Sequence, residues 1–218
     1  NLFCVLLNVM KFWDKQIDIV LLFWVLMIPG IVSCGKPIQP KKINVGQSNY
    51  FQPELIRTIA IMPLMHDGTD QNIADAIMHE LAVQMLRLDR FSMVDSYKVS
   101  ALVEAEGLEG SGLSDSIVKK IGSDLKADVI LLGKITHFVN GGRKYLIFKQ
   151  KPKIGINLRM VSIAEAVPTT IWTLNDIFDS DEEAVQNLVD KSDRHKIQSD
   201  TNFLIKIVCN EIVKTLDF

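Results

Sequence analysis

Four histidines, three cysteines and one glycine-serine run have the types that could do chemistry in this chain, and their spacing decides against most of it. His66, His79, His137 and His195 stand far apart, none three or four positions from another, whereas a zinc site draws three or four well-spaced ligands. His66 with Asp67 and His79 with Glu80 offer two imidazoles beside carboxylates, a set that reads as solvated loop and helix surface, so no metal ligand is assigned. The run GLEGSG at 107–112 looks like a phosphate cradle, but it lacks a following Lys-Ser/Thr and opens after a helix rather than a strand. It is read as a turn between helices. Ser111, Ser114 and Ser116 have no neighbouring histidine to serve as base. These residues predict a chain without catalytic side chains, without cofactor and without an identifiable small-molecule substrate.

The cysteines carry a different chemistry. Lys11 and Lys15 give a charged start, residues 19–28 form an unbroken apolar run, and Ile31, Val32 and Ser33 lead into Cys34. That order is a secretory signal peptide. Its ending resembles the lipobox of bacterial lipoproteins, which implies diacylglyceryl addition to the Cys34 sulfur, cleavage between Ser33 and Cys34, and acylation of the new amino terminus, with palmitate-type chains. Ser33 and Gly35 are small enough to let a membrane enzyme close on the thiol and the scissile bond. A membrane-spanning helix would need about 20 apolar residues, and only fifteen uncharged ones run from Ile19 through Ser33. Each buried CH₂ contributes about 0.8 kcal/mol, so two or three acyl chains moor a protein firmly. Met10 is a plausible initiator, and residues 1–9 are given no role. Gly35 occupies the position where an inner-membrane retention signal would sit, which favours the periplasmic face of the outer membrane. Cys209 follows the apolar run 203–208, as a buried inert thiol does. With no second thiol beside it, no disulfide framework is expected.

The sequence thus divides into a signal peptide at 1–33, a lipidated cysteine with an extended tether at 34–54, and one periplasmic α/β domain at 55–218. Prolines at 37, 40 and 53 and the lack of apolar period mark the tether. The net charge of −2 is unchanged by removing the leader, whose two lysines and two aspartates cancel. Nothing in it points to a nucleic-acid partner, which needs a basic face.

Positioning is left to the domain. Residues 55–64 are nearly continuous in apolar character and read as a buried central strand ending at Pro63. A loop at 65–70 precedes a helix over 72–88 with Ile73, Ile77, Leu81, Met85 and Leu88 on one stripe. A strand at 91–94, helices at 96–105 and from 114, and a second buried strand at 128–136 follow. Asn140-Gly141-Gly142 has hairpin chemistry and leads to strands at 144–148, 153–162 and 169–175. Helices at 181–190 and 202–216, separated by a polar loop, close the chain. The fold class is α/β: a mixed sheet with a β-α-β-α-α-β first half, an antiparallel hairpin second half, and helices packed on it.

In this order, IRTIAIMPL (56–64), LRLDRFSMVD (86–95), SALVEAEGLEGSGL (100–113), IVKKIGSDLKADVILLGKITHF (117–138) and INLRMVSIAEAVPTTIW (156–172) resemble the CsgG-like curli-secretion lipoproteins. Their fold is shared by the amino-terminal domain of TolB and by lipoprotein activators of penicillin-binding proteins. The segment 162–168 departs from the family in having no glycine at its turn. The resemblance implies a non-enzymatic accessory or assembly factor of secretion, surface-organelle or peptidoglycan-synthase machinery, working through contacts with envelope proteins or with itself. Trp172 and Phe178 are the candidate partner contacts, although Trp172 is also expected to be buried. The alternatives are an oligomeric export channel and a hydrolytic or ligand-binding lipoprotein. For the channel, fifteen residues lie between Phe138 and Ile154, fewer than a hairpin of two strands of about 9 to 11 residues would use.

Overall fold

Ile59, Ala60 and Ile61 are all buried, so this strand has layers on both faces and no alternation to show. It is β2 (Thr58–Ile61), one strand in from the edge of a seven-stranded mixed sheet. The computed structural model describes residues 39–66, 68, 71–107, 113–143 and 149–216. The other strands of this sheet are β1 (Val45–Gln47), β3 (Met65–His66), β4 (Ser92–Met93), β5 (Val129–Val139), β8 (Lys153–Ser162) and β9 (Thr169–Asp179). Their order is β1-β9-β8-β5-β2-β4, with β3 also on β5. Pairing is parallel among β4, β2, β3 and β5, and antiparallel from β5 through β8 and β9 to β1. A mixed α/β fold with a parallel first half and an antiparallel second half is therefore what forms.

The helices are α1 (Gln71–Leu86), α2 (Ser96–Ala105), α3 (Asp115–Leu125), α4 (Glu183–Gln186), α5 (Arg194–Ile197) and α6 (Thr201–Lys214). α1 buries Ala74, Ile77, Leu81 and Met85 and packs with α6 over one sheet face, where Ile154, Ile156, Leu158 and Met160 of β8 meet them. α2 and α3 cover the other face at Ala60, Met62, Ile130, Leu132 and Val161. That second layer stops short: Asn157, Thr173, Asn175 and Ile177 are exposed on the antiparallel half.

Several stretches depart from the sequence reading, among them the expected helix at 181–190, which is helical only over Glu183–Gln186. Where a loop is expected, Met65 and His66 pair with Lys134 and Ile135, because Pro63 interrupts the ladder without redirecting the chain. The polar segment at 191–200 carries a helical turn whose Ile197 is fully buried, a single apolar anchor that no period announces. The tether joins the sheet, with Val45, Gly46 and Gln47 opposite Leu174, Thr173 and Trp172. The expected strand at 144–148 lies outside the described residues, and its neighbours form a two-residue ladder, β6 (Gly142–Arg143) against β7 (Lys149–Gln150).

At Gly133 of β5 the neighbouring side chains close in tightly. A Cβ there would strike Leu158 Cδ2 and lie 2.6 Å from Leu64 Cδ2, so the absence of a side chain is what lets β5, β8 and the segment after β2 close together.

Candidate functional site

The candidate site is an open groove of about 750 Å³ at the sheet end where β2, β5 and β9 begin and β8 finishes, lined by residues including Tyr50, Leu55, Asp128, Glu165, Val167 and Ile171. Three local devices build it. After β1 the chain turns, with the Phe51 amide donating to the Ser48 carbonyl at 3.0 Å, while half-buried Phe51 packs on the core. That inward ring leaves Tyr50 pointing out, 74% exposed. Next, Pro53–Leu55 winds into one 3₁₀ turn, which buries Ile56 and throws Leu55 into solvent at 67% exposure. Finally, the loop 163–168 is pinned by the Lys119 ammonium, which donates to the carbonyls of Glu165 and Ala166 at 3.0 and 2.6 Å. Val167 then projects at 64% exposure. Of seven exposed large apolar side chains among the described residues, three therefore gather on one rim.

The floor is polar. Asp128 Oδ2 accepts from the Arg57 and Thr58 amides at 3.0 and 2.9 Å, and its own amide donates to the Thr58 carbonyl at 2.9 Å. Glu165, Ser162 and Thr169 add acceptors and hydroxyls, and the lining contains no histidine, cysteine, lysine or arginine. Such a surface can bury apolar groups and accept hydrogen bonds. It does not assemble a nucleophile with a base.

At the opposite end of the same edge the entering chain is clasped. Lys41 Nζ lies 3.1 Å from Asp176 Oδ1, 3.6 Å from Glu182 Oε2 and 5.7 Å from the centre of the Phe178 ring. The Lys41 amide donates to the Ala184 carbonyl and the Asn44 amide to Asp176 Oδ2. Nearby, burial would raise the Asp179 carboxyl, but the Asp181 amide and Lys153 hold it below the usual carboxylate range.

The residues singled out in the sequence fall as follows. Ser33 and Cys34 lie outside the described residues, as do Asp67 and Ser111. Trp172 and Phe178 are 1% and 0% exposed, Trp172 opposite Met160 and Phe178 opposite Ile154. Trp172 is thus interior as expected, and the partner-contact reading of both rings is corrected: with no surface offered, they hold the sheet. The histidines do not converge: His66 Nε2 meets Gln71 Oε1 at 2.7 Å, His195 Nδ1 meets the Ser192 carbonyl at 2.9 Å, and His79 and His137 are exposed. Among the described residues no group of three or more metal-type ligands forms. Cys209 is fully buried, and burial first, then the charge of Glu80, pushes its thiol far above the ordinary value. Sequence reasoning missed the groove. Its one signal is the stretch 163–168, apolar and without a turn glycine.

Neither a protein-family model nor a curated protein sequence matches the chain at a significant level. Its fold is similar to that of a PelC dodecamer from Paraburkholderia phytofirmans, solved in two crystal forms. One superposes with a TM-score of 0.50 at 6% identity, covering 81% of this chain and 98% of that one. The other gives 0.50 at 8%, covering 80% and 97%. The lipoprotein GNA1162 from Neisseria meningitidis aligns with a TM-score of 0.45 at 14% identity, over 72% of this chain and 99% of its own. At such identities the likeness to PelC is one of fold. No helix of the described residues is long and apolar enough to cross a membrane.

Proposed function

We propose that this chain is a non-enzymatic lipoprotein of the bacterial envelope, anchored through Cys34 at the periplasmic face of the outer membrane. It acts as a CsgG-like accessory or assembly factor that docks protein partners in the groove. The observation that carries the reading is the gathering of Tyr50, Leu55 and Val167, 74%, 67% and 64% exposed, around one groove that also carries the exposed carboxylates Asp128 and Glu165. Exposed apolar side chains gathered at one place mark a contact site, and aromatic residues such as Tyr50 are enriched among interface anchors. The lipobox at Ser33 and Cys34 supports the anchor, and confinement to one leaflet raises the effective concentration against any partner fixed nearby.

Self-association is a second form the contact takes, favoured by the fold likeness to a protein solved as a dodecamer. A pore made by this chain alone is disfavoured by the fifteen residues between Phe138 and Ile154, too few for a hairpin of two barrel strands of roughly 9 to 11 residues each.

The test is a photo-crosslinking residue placed at Leu55 or Val167 in living cells labelled with palmitate. A discrete adduct, identified by mass spectrometry as one envelope protein or a second copy and abolished by adding Tyr50→Glu, is expected. Palmitate incorporation with no adduct from either position would remove the docking role while leaving the anchor.

A further inference from the structure

The groove's own chemistry restricts what can fill it. Among the described residues its lining exposes two carboxylates, Asp128 and Glu165, and contains no basic side chain. Arg57 is not part of that lining, and the Lys119 ammonium is already engaged by the carbonyls of Glu165 and Ala166. With Tyr50, Leu55 and Val167 exposed around it, the groove suits a segment that carries apolar side chains between cations. The chain contains one. Residues 143–149 read RKYLIFK, and no other stretch of the sequence sets four consecutive apolar residues directly between basic ones.

The fold gives that segment a fixed root. β6 and β7 pair Gly142 with Gln150 and Arg143 with Lys149. Beneath them the Gly141 amide donates to Thr201 Oγ1 at 2.9 Å, and that hydroxyl, on a buried residue, donates to Asn140 Oδ1 at 2.7 Å. The root follows Val139, where β5 ends, whereas the groove opens at Asp128 and Val129, where β5 begins. The ten residue steps from Val129 to Val139 cover about 33 Å. Leu146 stands seven peptide steps past Val139, a contour of at most about 25 Å, and the β6–β7 ladder must form within it. A copy therefore does not reach its own groove.

We infer that residues 143–149 of one copy seat in the groove of a second copy. This rests on reading the groove as a docking site and names its occupant. The apolar run meets Tyr50, Leu55 and Val167, and the flanking cations meet the charges of Asp128 and Glu165. Because the root of the segment and the groove stand at opposite ends of β5, the contact is head-to-tail, which closes into a ring or runs on as a filament.

The test uses full-length protein carrying a photo-crosslinking residue at Leu146, co-expressed with a second copy that bears a different tag. An adduct holding both tags is expected, with mass spectrometry placing the new bond within residues 50–56 or 164–169. Lys144→Glu should lower its yield several-fold, as should Glu165→Lys, and the two together in both copies should restore it. That recovery also shows that neither substitution acts by unfolding the chain. Yields that Lys144→Glu leaves unchanged, or that the double variant does not recover, overturn the charge pairing that selects this occupant. An adduct within one copy, at another surface of the second copy or with a different protein, or no adduct at all, overturns the inference. Crosslinking from Leu55 and Val167 then decides the docking role separately: an identified envelope protein captured there keeps the groove as a contact site, and an empty result removes it as well.

Discussion

Asp128 precedes β5 by one residue and takes the two amides at the start of β2 on a single carboxylate oxygen, so one side chain both ties neighbouring strands and lines the groove. Cys209 is the other residue whose environment dictates behaviour. Thiolate is the reactive form, and a thiol fully buried with its proton held this firmly supplies almost none at pH 8. Iodoacetamide should leave Cys209 unmodified in the native protein over hours and alkylate it within minutes in guanidinium chloride. Fast native alkylation, followed by mass spectrometry of the tryptic peptide, would show that α6 opens from the sheet.

Among elements, those with their own pattern are the ones the sequence discloses. α2 runs from Ser96 to Ala105 as its composition predicts, with the Asp95 carboxylate accepting from the Tyr97 amide at 2.8 Å as its cap. β8 shows Ile154, Ile156, Leu158 and Met160 inward at 0% exposure, the two-residue period made visible. β1 and β3 have three and two residues, too few for any period, and exist because β9 and β5 offer ladders to complete. The groove was illegible for a related reason: Tyr50, Leu55, Asp128 and Val167 come from four separate segments and meet only once the strands are in register. Gly133 gives the element-scale prediction. Gly133→Ala must push Leu158 and Leu64 apart, and overpacking of this kind costs about 1–3 kcal/mol. Chemical denaturation should show the midpoint falling with an unchanged slope, and a variant as stable as wild type would mean that the β5–β8 contact has slack.

For the molecule as a whole, the short strand β1 has a role that outlasts any question of anchoring. The far margin of the sheet ends in β4, two residues long, a margin too small to template anything. Remove residues 39–49, and the other margin becomes β9, eleven residues with unpaired amides and carbonyls along its length. Long bare margins of this kind recruit one another into polymers. A protein shortened to begin at residue 55, the boundary that composition alone suggests, should aggregate at micromolar concentration in light scattering, whereas one beginning at residue 39 stays dispersed. The segment that looks like a mere leash is, in that sense, the domain's guard against fibre formation.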